Sequence, residues 1–382
     1  MYSHSDIEEA VASGALSADQ ANSLRNFVAR RNGTPTADEE HVRWLLGFSD
    51  MYIYISSILL MFGLGWLGSK IEVGRGPSFF IPLFVALACW GLSEFFVKRK
   101  HLALTAITLA WVFVYCVYFT IVLLAMQLIG ESGDRTTGSL VSAVAAVLAA
   151  GGAFLHWKRF AEPIAYSLIL GALAVAIMSL LSAIVPSDPE GTVGFLVLTL
   201  LGLATLVYAQ TWEAKDIHRT TKVADIGFWL HNVACAEVVF GLVGLLGLNS
   251  YPSTGAAIGG IVVFVVLALV GIVLDRRIWV LLGAWPLGAG IHTLIKGSPS
   301  YNPYGGYNDY GGGMSPYGYS PYGGMGDSVD NVMLTLLIVG VVLIVIGMFW
   351  TQIRRALGGL GGPLAGKIPP ANPTQNEGQA FE

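Results

Sequence analysis

The residues best suited to chemistry in this chain are acids and histidines set inside long apolar runs. Glu237 stands twelve residues beyond Asp225. That is ~18 Å along a helix rising ~1.5 Å per residue, near the middle of a hydrocarbon layer ~30 Å thick. A carboxyl at that depth must be protonated, paired or facing water, so it is by default a candidate for carrying protons or binding an ion. The same run holds His231 and Asn232. His231 and Glu237 point about 120° apart on a helix of 3.6 residues per turn, so the partner of Glu237 is expected from another helix. Glu94 lies a turn before Lys98, His292 follows Pro286 near the far end of its run, and His156 adjoins Trp157 and Lys158 and reads as interfacial.

These residues do not add up to a recognisable catalytic or metal centre. The spacing of His231, Glu237 and His292 requires no metal, and the two histidines fall in opposite leaflets. Cys89, Cys116 and Cys235 sit singly in apolar stretches with no CxxC pair, so they read as small core residues. There is no phosphate loop, HExxH, GxSxG or strand-to-helix GxGxxG. The sequence predicts neither an enzyme nor a cofactor.

The elements that position these groups are membrane spans. Of the 382 residues only 12% are charged and 54% are hydrophobic, whereas soluble chains carry about 25% charged residues. Period-two alternation is absent, which leaves helices as the way across a bilayer. Ten runs are long enough, near 51–69, 77–97, 103–130, 138–156, 163–185, 192–211, 225–247, 254–274, 278–295 and 331–350. The predicted fold is an all-α, polytopic bundle of about ten spans, with Pro286 expected to kink the ninth. Placing the N-terminus inside puts seventeen of the twenty-one Lys and Arg residues on the internal side. That lopsided split supports ten crossings with both ends in the cytoplasm. No cleaved signal precedes the first run. Gly255 and Gly259 in the eighth span, and Gly241, Gly244 and Gly247 in the seventh, have spacings suited to close helix contact.

Residues 1–50 read as a small cytoplasmic helical segment. Ser5 with Glu8, Ser17 with Gln20 and Thr36 with Glu39 each have capping-box spacing, and the segment could dock a cytoplasmic protein. Residues 296–330 form the one long external stretch, holding ten Gly, four Pro and seven Tyr. Such a composition cannot bury a core. Tyr304, Tyr317 and Tyr322, each following a proline, are candidate contacts to envelope or carbohydrate surfaces. Residues 351–382 read as a disordered cytoplasmic tail. The net charge of −4 points to no nucleic-acid partner.

Two pieces carry a family resemblance. One is the leader over 7–27, a short helix, then Gly14-Ala15-Leu16-Ser17, then a second helix. The other is the Phe228-Trp229-Leu230-His231 run within 225–234. Together with the many spans, they resemble bacterial membrane proteins of the domain-of-unknown-function 2157 type. The resemblance implies a bacterial inner membrane and draws attention to His231. That family has no assigned activity, and the Tyr/Gly/Pro stretch departs from its pattern. The residues themselves suit a permease-like small-solute transporter, with ten spans divisible into five and five. They also suit a non-catalytic envelope scaffold making its contacts through the leader and the tyrosine-rich loop.

Overall fold

The computed structural model describes residues 7, 10–11, 13–17, 19–21, 23–24, 48–72, 76–100, 102–130, 134–185, 191–216, 219, 222–248, 253–296 and 325–357. Among them there is no strand, and ten helices are long and apolar enough to cross a membrane. The protein is therefore an all-α, multi-pass membrane protein. The helices are α1 (Phe48–Ser69), α2 (Phe80–Leu92, continued by a π turn over Ser93–Val97), α3 (Ala103–Ile129), α4 (Arg135–Phe160) and α5 (Ile164–Ile184). They continue as α6 (Thr192–Glu213), α7 (Lys222–Leu245), α8 (Thr254–Leu274), α9 (Ile278–Lys296), α10 (Met325–Met348) and the short α11 (Trp350–Leu357).

All ten expected spans are present, and at α4, whose two ends differ from those expected, caps mark the actual ends. α4 runs beyond both expected ends. Asp134 accepts from the Thr136 amide at 3.2 Å, satisfying an orphan donor of the first turn, and from the Thr137 hydroxyl at 3.0 Å. The Thr137 bond, then the amide, hold the Asp134 carboxyl below its ordinary range. At the other end Ala161 turns left-handed, with φ 54°, after Lys158 and Arg159 in the last turn. α8 starts on Ser253, whose hydroxyl accepts from the Ala256 amide at 3.1 Å. It stops at Asp275, left-handed with φ 55°, where the Arg276 amide reaches back to the Gly271 carbonyl at 2.8 Å. α9 continues through Pro286, which is fully buried.

In the leader, the Ser17 amide donates to Gln20 Oε1 at 3.0 Å and the Gln20 amide to Ser17 Oγ at 3.2 Å. That is the reciprocal capping box, placed after a left-handed Gly14. The boxes expected at Ser5/Glu8 and Thr36/Glu39, Tyr304, Tyr317 and Tyr322, and residues 358–382 of the expected tail lie outside the described residues, while 351–357, expected to be disordered, are helical in α11.

Lipid offers no hydrophobic drive between helices, so contact depends on small residues that let backbones approach. α4 buries a stripe of Ala145, Ala146, Ala149, Ala150 and Ala153. α7 is the central helix: 56% of its apolar window is buried, against 6% for α10. The glycine spacing of the eighth span misidentifies the contact. Gly255 meets only its own Ser253 and Gly259 lies closest to the Leu246 side chain, whereas a Cβ at Gly260 would stand 2.7 Å from the Pro286 carbonyl oxygen. In the seventh span Gly241 and Gly244 do face a neighbour. Gly247 instead caps the helix at φ 67° with nothing within 4 Å.

Candidate functional site

The seam between α6 and α7 is where polar side chains concentrate at depth. The helices run antiparallel and alternate glycines across it. Gly227 lies against Glu213, Gly202 against Glu237 and Val238, and Gly241 against Phe195 and Thr199. With Cβ atoms missing at these points the backbones nearly touch, and the polar groups between them are shut off from lipid.

Glu237 is buried in this seam, and its Oε2 accepts from the Thr205 hydroxyl at 2.9 Å. The partner comes from another helix, as the 120° separation from His231 requires. Among the described residues Glu237 has no ion-pair partner. Asn232, one turn before Ala236, spends its amide on the Phe228 carbonyl at 2.8 Å within its own helix.

One and a half turns closer to the end of α6, His231 is fully buried in a polar cluster. The Trp279 indole donates to His231 Nδ1 at 3.3 Å. An indole N–H can only donate, so Nδ1 is bare and the ring proton sits on Nε2. Nε2 faces Glu213 Oε2 at 3.4 Å and the Gln210 amide at 3.1 Å. Turning that amide over puts its otherwise unpartnered oxygen on the proton. Arg276, from the three-residue α8–α9 turn, donates through Nε to Glu213 Oε1 and stacks over Phe228 at 5.6 Å. The Glu213 and Arg276 side chains are only 4% and 3% exposed. A charge pair that deep carries a large desolvation cost, which the pair's mutual contact must offset.

Asp275, the neighbour of Arg276, faces a second set of partners. Its Oδ2 receives Arg219 at 3.0 Å and Arg354 at 3.2 Å, and its Oδ1 receives the Trp350 indole at 3.0 Å. Arg219 also donates to the Leu274 and Asp275 carbonyls, both at 3.2 Å. Two adjacent residues of one turn therefore fasten the end of α6, the α6–α7 connection and α11. Arg219 and Arg276 are among the seventeen basic residues placed on the internal side by sequence, and both lie inside this cluster.

The remaining candidates separate from it. Glu94, on the π turn after α2, pairs bidentately with Arg159 at 2.6 and 2.9 Å, in contact with solvent. His156, one turn before the end of α4, does not face outward. It is fully buried among Trp90, Phe113 and Phe160, with Ser93 at 3.4 Å, because the extended α4 continues past it. His292 lies at the opposite end of α9 from Trp279, in a cleft with Lys296 and Asn331. His231, Glu237 and His292 are not brought together, and no group of three metal-ligating side chains occurs among the described residues.

No protein-family model, curated protein or solved structure matches the chain.

Proposed function

We propose that this integral membrane protein is a proton-coupled permease for a small solute, seated in a bacterial inner membrane. In this reading the face bearing the Glu213–Arg276 cluster is cytoplasmic, which the distribution of Lys and Arg supports. The observation that carries the proposal is Glu237, an acid buried mid-span with a hydroxyl partner and no counter-ion among the described residues. Such a group can change charge when solvent or solute reaches it, the behaviour expected of proton-carrying acids in transporters. Polar side chains line the same seam at successive depths, from Glu213 through His231 and Gln210 to Thr205 and Glu237. His231 and Glu237 are six residues, ~9 Å, apart along α7.

The test is charge movement by proteoliposomes on a solid support, challenged with amino acids, sugars, carboxylates and cations across a proton gradient. The wild type is expected to give a gradient-dependent current with one class. Glu237→Gln, folded and melting normally, is expected to give none. A wild-type current from Glu237→Gln would remove Glu237 from the mechanism.

The close contact of α6 and α7 through Gly202 and Gly241 favours a second reading, a rigid, non-catalytic envelope scaffold. Residues 1–50 and the loop around Tyr304, Tyr317 and Tyr322 would then carry contacts to a cytoplasmic protein and to the envelope. Deleting 300–325 would abolish localisation in the scaffold reading and leave solute currents intact in the permease reading.

A further inference from the structure

We propose that the α8–α9 turn is the moving part of a gate over the α6–α7 seam, and that the structure shows it shut. The inference builds on the permease reading for what the gate controls, while the gate itself rests on the turn's contacts. The turn holds two adjacent charges facing separate acceptors and donors. Arg276 closes onto Glu213 beside His231, and Asp275 gathers Arg219, Arg354 and Trp350. Beneath the turn lies Cys235, fully buried one helical turn beyond His231, its thiol donating to the Ile278 carbonyl at 3.7 Å. Glu237 follows two residues later on α7.

Three physical points favour a gate over a permanent staple. First, apolar side chains would fasten these helix ends with no desolvation cost, since a buried ion pair is seldom more stabilising than a packed apolar pair. Second, the pairs sit at the helix ends, at the basic face. Once parted, each guanidinium and carboxylate can be hydrated there, so opening exchanges the buried pairs for contacts with water. An apolar contact offers no such exchange. Third, the latch is layered. Asp275 Oδ2 is shared by two arginines, and Arg354 arrives on the eight-residue α11, whose Trp350, Ile353 and Leu357 lie against α8 and α9. Withdrawing α11 removes one guanidinium and the Trp350 indole from Asp275 and leaves Arg219 in place. Release of α11 is thus the step that loosens the gate without dismantling the Glu213 cluster.

The native cysteines supply the test, and it requires no transported solute. Full-length protein in membrane sheets open on both faces is treated with a charged, membrane-impermeant maleimide, and modification of Cys89, Cys116 and Cys235 is followed separately by peptide mass spectrometry. All three are buried. Wild-type Cys235 should react slowly. Arg354→Gln should raise its rate several-fold and Asp275→Asn should raise it further, with Cys89 and Cys116 unchanged. Unaltered Cys235 reactivity in both variants overturns the gate. So does a joint rise at all three cysteines, which would report general loosening of the bundle. Selective exposure of Cys235 in a protein that gives no solute current would keep the gate and discard the permease reading.

Discussion

Arg276→Met is expected to be among the most damaging single substitutions in the protein, lowering stability by about 3–5 kcal/mol. The arginine is buried with Glu213, and its loss leaves that carboxylate buried with the His231 ring, at 3.4 Å, as its close neighbour. The paired change Glu213→Leu with Arg276→Met should recover most of that loss, because removing both charges also removes both desolvation penalties. Thermal unfolding in detergent or nanodiscs measures each corner of the cycle, and equal instability of the single and double variants would sink the argument. Glu94→Gln is the contrast. Its pair with Arg159 is 35% and 46% exposed, and melting should stay at the wild-type value, as for most solvated ion pairs. The double apolar variant carries a second expectation. Its contact with the end of α6 can no longer part into hydrated charges, although Asp275 keeps Arg219 and Arg354, so Cys235 should label more slowly than in the wild type while the protein remains stable.

That cluster shows where sequence reading runs out. The ten spans were legible because bilayer thickness sets run length and because twenty-one basic residues can be sorted between two faces. The Ser17/Gln20 box was legible because its bonds are local. His231 was singled out for sharing the span of Glu237 and for the Phe228–His231 resemblance, and its partners proved to be Glu213, Gln210 and Trp279. Glu213 and Arg276 are 63 residues apart, and each alone reads as an ordinary charge at a span end. One signal was available. The turn between α8 and α9 has only three residues, Asp275, Arg276 and Arg277, between two apolar helices. A turn that short gives its charges little reach toward water and invites partners from neighbouring helix ends. The contact glycines were harder to read. Which side of α8 meets α9 depends on its rotation in the bundle, so Gly260 meets the α9 backbone while Gly259 meets the Leu246 side chain and Gly255 meets no other helix.

The second large effect is expected from Gly241→Ala, a single methyl in the seam. Its Cβ would lie 2.8 Å from the Thr199 nitrogen and 2.9 Å from the Phe195 oxygen. Those are backbone atoms of a helix and cannot swing aside, so α6 and α7 must move apart. The cost should be about 1–3 kcal/mol. Gly202→Ala, facing the Val238 nitrogen at 2.7 Å, should behave alike. Gly151→Ala, with nothing within 4 Å, should be neutral or stabilise by up to about 1 kcal/mol. The double variant of Gly202 and Gly241 decides the mechanism. If the helices separate as rigid rods, the first methyl opens the seam and the second costs little, giving strong coupling between the sites. Separation should also lengthen the 2.9 Å bond from Thr205 to Glu237, so either glycine variant should lose gradient-dependent current along with stability. Fully additive losses would mean that each methyl is relieved locally and that the seam does not hold α6 and α7 as one unit.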